Sequence, residues 1–219
     1  MKNVKIWVPI LDKKRSSCYY KKTERTLFFI NDRKEVQYAK SIFIVGRQQV
    51  YSLLVDNNPG VLSRIAGLFS RRGYSIDSIT AGVTADPRFT RITIVASGDE
   101  LILSQIEKQV RKLEDVIEIK VLQPEDSVYR ELIMVKVRAN KTERTEIISV
   151  ADIFRAKIVD VEKDSLMVEL TGNGSKVDAF LELLEGYEIL ELARTGITGL
   201  QRGIKDVTVI DQEGNINTL

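Results

Sequence analysis

Polar and apolar positions change rhythm several times along this chain, most clearly in residues 51–73, YSLLVDNNPGVLSRIAGLFSRRG. Tyr51, Leu53 and Val55 alternate with Ser52 and Asp56, the period of a strand with one face in a core. Asn58 and Pro59 end it. Their spacing predicts Asn58 as helix N-cap and Pro59 at the first helical position, where its φ is preset and its missing N–H costs nothing. Leu62, Ile65, Ala66 and Phe69 then recur on one side, with Ser63, Arg64, Ser70 and Arg71 on the other, which predicts a helix over 61–72. Gly73 is placed to close that helix in a left-handed cap.

The pattern continues with a strand over 76–83, a turn at Asp86 and Pro87, and a strand over 91–97, together a hairpin. Gly98 and Asp99 introduce a second helix whose Ile102, Ile106, Val110 and Leu113 face inward, and a fourth strand covers 116–121, ended by Pro124. Residues 123–127, QPEDS, read as a polar connection between domains. The order then repeats as strand 132–137, helix 142–154, strands 158–161 and 166–170, helix 176–184 and strand 187–192. The fold class expected is α+β, two tandem ferredoxin-like βαββαβ domains, each a four-stranded antiparallel sheet with both helices on one face. The boundaries expected are a leader at 1–48, domains at 49–124 and 128–205, and a polar, mobile tail at 206–219. Helices on one face leave the other bare, so apolar residues there and on the edge strands predict a homodimer.

Composition narrows the functional classes. A chain of 219 residues with 43% hydrophobic content suffices for two small cores. The net charge of +2 divides unevenly: residues 1–50 hold 12 Lys and Arg against 4 Asp and Glu, so the remaining residues carry −6. A body of that charge has no broad cationic face for phosphate backbones, which argues against a nucleic-acid partner. The leader has charge clusters at 13–15 and 21–25 and short candidate strands at 6–11 and 26–30. Its mixture of lysines with Trp7, Tyr19 and Phe28 has the composition of a single-strand binder, but clustered like charge with few aliphatics reads better as a solvated segment. One cysteine, Cys18, and no histidine exclude an internal disulfide, the usual zinc sites and histidine-based triads, so neither catalytic nor metal-ligating residues are expected. No run approaches the roughly 20 apolar residues of a membrane span, and no secretory pattern is present, which points to a cytoplasmic protein with no membrane partner.

The candidate chemistry lies at the start of the first helix. Gly60, Val61 and Leu62 offer amides that no helical carbonyl reaches, Gly60 lets an anion approach the backbone, and the helix dipole favours negative charge there. Asn57 adds a side-chain carbonyl for an ammonium group, so the pair suits a free amino acid. The same spacing also fits a well-capped helix that binds only water. Asp56, Asp77 and Asp86 would be the carboxylates of an enzyme, but they sit at strand ends and turns where solvated acids are ordinary. Residues 171–175, TGNGS, lack the lysine spacing of a phosphate loop and read as a strand-to-helix turn. Arg194, Thr195, Gly196, Arg202 and Gly203 suit either a partner contact or a C-terminal turn.

The run from Asp56 through Asn57, Asn58, Pro59, Gly60, Val61 and Leu62 to Ile65, followed by Gly67, Leu68, Phe69 and Arg72, Gly73, Tyr74, resembles the opening of the acetolactate (acetohydroxyacid) synthase small regulatory subunits. The resemblance continues through residues 76–79, 91–94 and 105–109, and in the second half through Arg130, Glu131, Leu132, residues 153–156 and 178–180, and Arg194 to Gly203, covering 51 to about 205. It implies an N-terminal ACT domain and a C-terminal ferredoxin-like domain in a dimeric, non-catalytic subunit. Such a subunit activates a large catalytic subunit, the holder of thiamine diphosphate, FAD and Mg, and confers feedback inhibition by branched-chain amino acids, usually valine. The effector of such domains sits at the dimer interface, between the first strand-to-helix loop of one protomer and the second strand of its mate. Carried onto this chain, that gives Asn57, Asn58, Gly60, Val61 and Leu62 with Ser75 and Ile76. Ser75 stands where the family usually has asparagine, which removes one hydrogen-bonding group. A free-standing ACT-repeat sensor acting on another protein or on transcription is the alternative. Residues 1 to about 48 match nothing in the family, and the expectation is that residues 1 to about 44 come from an upstream start, with the natural one near Val45 or slightly later.

Overall fold

The computed structural model describes residues 19–23, 26–30, 47–204, 207–211 and 216–218. The chain divides into two units, residues 1–45 and 46–219. In the first, β1 (Tyr19–Thr23) pairs antiparallel with β2 (Thr26–Ile30). The strand expected at 26–30 is therefore present, and Lys21 and Lys22, read as part of a charge cluster, lie in a strand. The candidate strand at 6–11 and the cluster at 13–15 fall outside the described residues.

The second unit begins with β3 (Arg47–Asp56), α1 (Val61–Arg72), β4 (Ser75–Val83), β5 (Phe89–Gly98), α2 (Glu100–Val110) and β6 (Val116–Leu122). Its four strands lie in the order β4-β5-β3-β6, all pairs antiparallel, with β4 and β6 as edges. As an interior strand, β3 is buried on both sides: Tyr51, Leu53 and Val55 enter a core with Ile65, Phe69 and Ile106, while Ser52 and Leu54 are buried on the opposite face. Alternation reports which side chains share a face, not whether the other face is covered.

Most of the expected inward faces are present, Ile65 and Phe69 in α1, Ile106 and Val110 in α2 and Leu113 just after it, but three expected positions are exposed. In α1 the buried residues are Val61, Ile65, Leu68 and Phe69, whereas Leu62 and Ala66 are exposed. In α2 they are Leu103, Ile106 and Val110, with Ile102 on the rim. Ile102 lies against Gly98, where an added Cβ would meet it at 2.9 Å. Two expected caps are present: Gly73 at φ 68 donates to the last carbonyls of α1, and the Asp99 side chain accepts from Ile102 N at 2.7 Å.

The remaining elements are β7 (Ser127–Arg138), α3 (Lys141–Ile153), β8 (Lys157–Val161), β9 (Ser165–Gly172), α4 (Gly174–Leu183), β10 (Ile189–Arg194), β11 (Thr198–Gln201), β12 (Thr208–Ile210) and β13 (Ile216–Thr218). The second sheet runs β10-β7-β9-β8 over its own core, which includes Val135, Ile147, Val168 and Phe180. This is the expected α+β architecture, two antiparallel sheets each with flanking helices. Asn140 and Glu143 cap α3 reciprocally, and the 171–175 segment is indeed a strand-to-helix turn, with Asn173 capping α4.

Four expectations need correction. The 123–127 connection ends one residue early: Ser127 already belongs to β7, and the turn is held by Arg202 N donating to Asp126 O at 2.7 Å. The start of β7 pairs with β11, a strand the pattern did not announce, and the rest of it with β9 and β10. The second face of the first sheet is not bare, because Ile197 and Tyr129 pack on Val50, Val95 and Leu122. The second face of the other sheet carries charge pairs such as Lys136 with Glu191 at 2.9 Å rather than a bare apolar surface. Finally, the described part of the tail is not featureless, since β12 pairs with β13 and Thr208 donates to Glu118.

Candidate functional site

The 57–60 segment leaves β3 as a turn rather than as a capped helix start. Val61 N points to Asn58 O at 3.4 Å, and Gly60 at φ 88, ψ −10 has the conformation of the third residue of a type II turn. The N-cap is therefore Gly60, with no side-chain cap, and Asn58 and Pro59 belong to the turn before it. Gly60 permits the shift, since glycine adopts a left-handed angle without strain, and the hydrogen bonds of Asn57 to the neighbouring hairpin hold the turn that requires it. Since Arg64 N is the first to reach a carbonyl one helical turn back, at Gly60 O (2.9 Å), the amides of Leu62 and Ser63 point outward, whereas that of Val61 is partly spent on the turn. Leu62 is exposed and Val61 buried, so Val61 contributes backbone alone.

Asn57 is committed within its own chain. Its amide nitrogen donates to Pro87 O (2.9 Å), its side-chain carbonyl accepts from Thr90 Oγ1 (3.0 Å), and its backbone N donates to Arg88 O (2.7 Å). It pins the loop to the β4–β5 hairpin and keeps one carbonyl lone pair for an ammonium group.

Arg64, which helical spacing assigned to the solvent side, is the residue that sequence reasoning missed. Two of its nitrogens fork onto Asp115 at 2.6 Å each, a bond that holds the Asp115 carboxyl below its ordinary range. Its third nitrogen, Nη1, lies 3.4 Å from the place where a Cβ of Gly60 would stand. The usable signal was its position four residues after Gly60, one helical turn away.

Ser75 and Ile76 are not beside this loop. Ser75 pairs with Ser97, which pairs with Gln48, whereas the loop follows Asp56, which pairs with Phe89. The separation along the sheet is eight residues, about 26 Å at the rise of an extended strand. Ser75 is exposed at the start of β4, and the strand bulges after Ile76. The bulge places Asp77 to accept from Gln48 Nε2 at 3.0 Å and from Ser97. Asp86, at the β4–β5 turn, is tied to Arg88 at 2.6 Å, which lowers its pKa.

The segment after β10 ties β4 to the second sheet. Gly196, at φ 84, lies on Ser78, and Ile197 O accepts from Thr80 Oγ1 at 2.5 Å. Arg194 forks onto buried Glu131 at 2.8 and 2.7 Å. Among the described residues, no helix is long and apolar enough to cross a membrane.

Residues 51–118 match the family described as AHAS small subunit-like ACT domain, and residues 130–203 the one described as small subunit of acetolactate synthase. A probable acetolactate synthase small subunit of Methanothermobacter thermautotrophicus is 54% identical over 155 residues, 70% of this chain and 92% of that protein. The acetolactate synthase small subunit of Haemophilus influenzae is 44% identical over 161 residues, 73% of this chain and 99% of that one. The crystal structure of the acetolactate synthase small subunit from Thermotoga maritima superposes with a TM-score of 0.67 at 42% identity, covering 72% of this chain and 98% of that one.

Proposed function

The chain belongs to the acetolactate synthase small-subunit family, and on that premise we propose that it is the non-catalytic regulatory subunit, which activates a thiamine-diphosphate-dependent catalytic subunit and makes it sensitive to a branched-chain amino acid, valine first. Thiamine diphosphate, FAD and Mg belong to the catalytic partner. The effector lies between two copies of this chain. Its carboxylate takes the Leu62 and Ser63 amides and Arg64 Nη1 beside Gly60, its ammonium takes the spare lone pair of Asn57, and its side chain lies against Leu62 and the partner copy's second strand at Ser75 and Ile76.

The observation that carries this reading is the separation of the two half-sites. Along β4 the Ser75 end and the Val83 end are opposite, and Val83 pairs with Thr90, which pairs with Val55 at the loop end of β3. A partner whose β4 runs antiparallel beside this one brings its Ser75 end to this chain's Val83 end, so two sites form by symmetry. The exposed strip of Leu62, Ile79 and Val83 flanking that edge supports such pairing. Effector binding then inhibits by favouring one dimer arrangement over another, since a ligand shifts an equilibrium only by its difference in affinity.

The test uses the catalytic subunit reconstituted with this chain and titrated with valine, leucine and isoleucine. Gly60→Asp places a fixed carboxylate where the effector's belongs and is expected to abolish inhibition while leaving activation. Gly60→Ala carries the same left-handed strain without the charge and is expected to lose about 1 kcal/mol of stability yet keep inhibition. Retained valine sensitivity in the aspartate variant refutes the site.

A further inference from the structure

Arg155 is the one non-glycine residue at positive φ among the described residues, at φ 52. It follows α3, where Arg155 N donates to Asp152 O (3.0 Å) and Ala156 N to Ala151 O (2.8 Å), a left-handed closure that glycine makes without penalty. Among the described residues, no hydrogen bond or ion pair requires an arginine there. The last carbonyls of the helix are satisfied by backbone amides, and the guanidinium has no hydrogen-bond or ion-pair partner among the described residues. A non-glycine residue at positive φ whose charged group has no such partner is a candidate functional position.

The surroundings indicate what that function is. Arg155 lines a concavity of about 400 Å³ with Ile153, Phe154 and Lys176. Phe154 is braced edge-on against core Phe180, with ring centres 5.4 Å apart, so the apolar wall is rigid. Ile153 is 74% exposed. Lys176 lies with its stem over Gly172, and its ammonium donates to Thr171 O at 3.1 Å rather than to a carboxylate. Two cations that have no carboxylate partner among the described residues thus flank an apolar wall, on a body whose net charge over residues 51–219 is −6.

We propose that this surface docks an acidic, apolar-edged segment of the catalytic subunit, an inference that rests on the regulatory reading above. Charge complementarity selects the occupant: a carboxylate paired to Arg155 and Lys176, with an apolar side chain covering Ile153 and Phe154. The contact gives Arg155 a partner that the described residues do not supply and removes Ile153 from water.

The test reads two quantities for the full chain, its thermal midpoint and the concentration that half-activates the catalytic subunit. Arg155→Gly removes both the guanidinium and the strain, so its midpoint equals or exceeds that of the wild type while its half-activating concentration rises about tenfold. Ile153→Ser leaves the midpoint unchanged and raises the half-activating concentration about threefold. Added salt narrows the gap between the wild type and Arg155→Gly. If the wild type activates and both variants match it, the surface is refuted while the regulatory reading stands. If the wild type itself neither binds nor activates, the regulatory reading fails and the surface fails with it.

Discussion

Asn57 has a structural task at the loop proposed to bind the effector. It holds the turn against the neighbouring hairpin through both ends of its amide, and that rigidity keeps the first-turn amides of α1 aimed outward without an effector to order them. Ser75 is the weaker half of the proposed site, because a hydroxyl offers one short group where an asparagine offers an acceptor and two donors. Ser75→Asn is therefore expected to tighten valine binding threefold to tenfold, a gain on the order of 0.5–1.5 kcal/mol, as read by calorimetric titration. The position is exposed, so folding is no obstacle, and an unchanged affinity would exclude Ser75 from the site. Tyr51 stands apart from this chemistry: its buried hydroxyl donates to Leu103 O at 2.8 Å, and burial, with Glu107 nearby, holds its phenol well above the ordinary range.

Among the elements, the segment after β10 does most to define the molecule. It begins at the Arg194–Glu131 fork, passes over Ser78 and Thr80 of β4, and returns as β11 alongside the start of β7. It touches the same strand that carries Ser75 and Ile76, so a displacement of β4 reaches the second sheet through it. Gly196 permits the passage, because a Cβ there would stand 2.9 Å from that of Ser78 and the angle is left-handed. Gly196→Ala should cost about 1–3 kcal/mol, seen as a lower urea midpoint. Gly186→Ala, at an open position, should stay within roughly 0.5 kcal/mol. Equal midpoints for the two variants would show that the close approach is not maintained in solution.

For the whole molecule, the deciding question is pairing along β4. A single chain holds both halves of the proposed site but keeps them at opposite ends of one sheet, so the proposal requires effector binding and dimerisation to be linked, each strengthening the other. Val83→Lys puts a charge on the exposed edge strip. The expected result is a monomer by light scattering, folded by circular dichroism, with no saturable valine binding. A monomeric variant that binds valine as tightly as the wild type would mean that the site is complete within one chain.

What could be read from the sequence alone follows from how local the cause is. The 3.6 and 2.0 periods, the glycine after α1, the aspartate before α2 and the Asp86-Pro87 turn act within a few residues, so the type and order of the elements from β3 to β10 and both cores were determined by the sequence. Three features depended on tertiary structure. Burial of the second face of β3 requires residues from the far end of the chain, and a four-residue strand such as β11 is too short to show a period. The placement of Gly60 rather than Asn58 at the helix start was decided by the turn that Asn57 pins to the hairpin. The positions of the proposed site residues belong with these, because periodicity assigns residues to faces, whereas only strand register tells which end of a sheet they occupy.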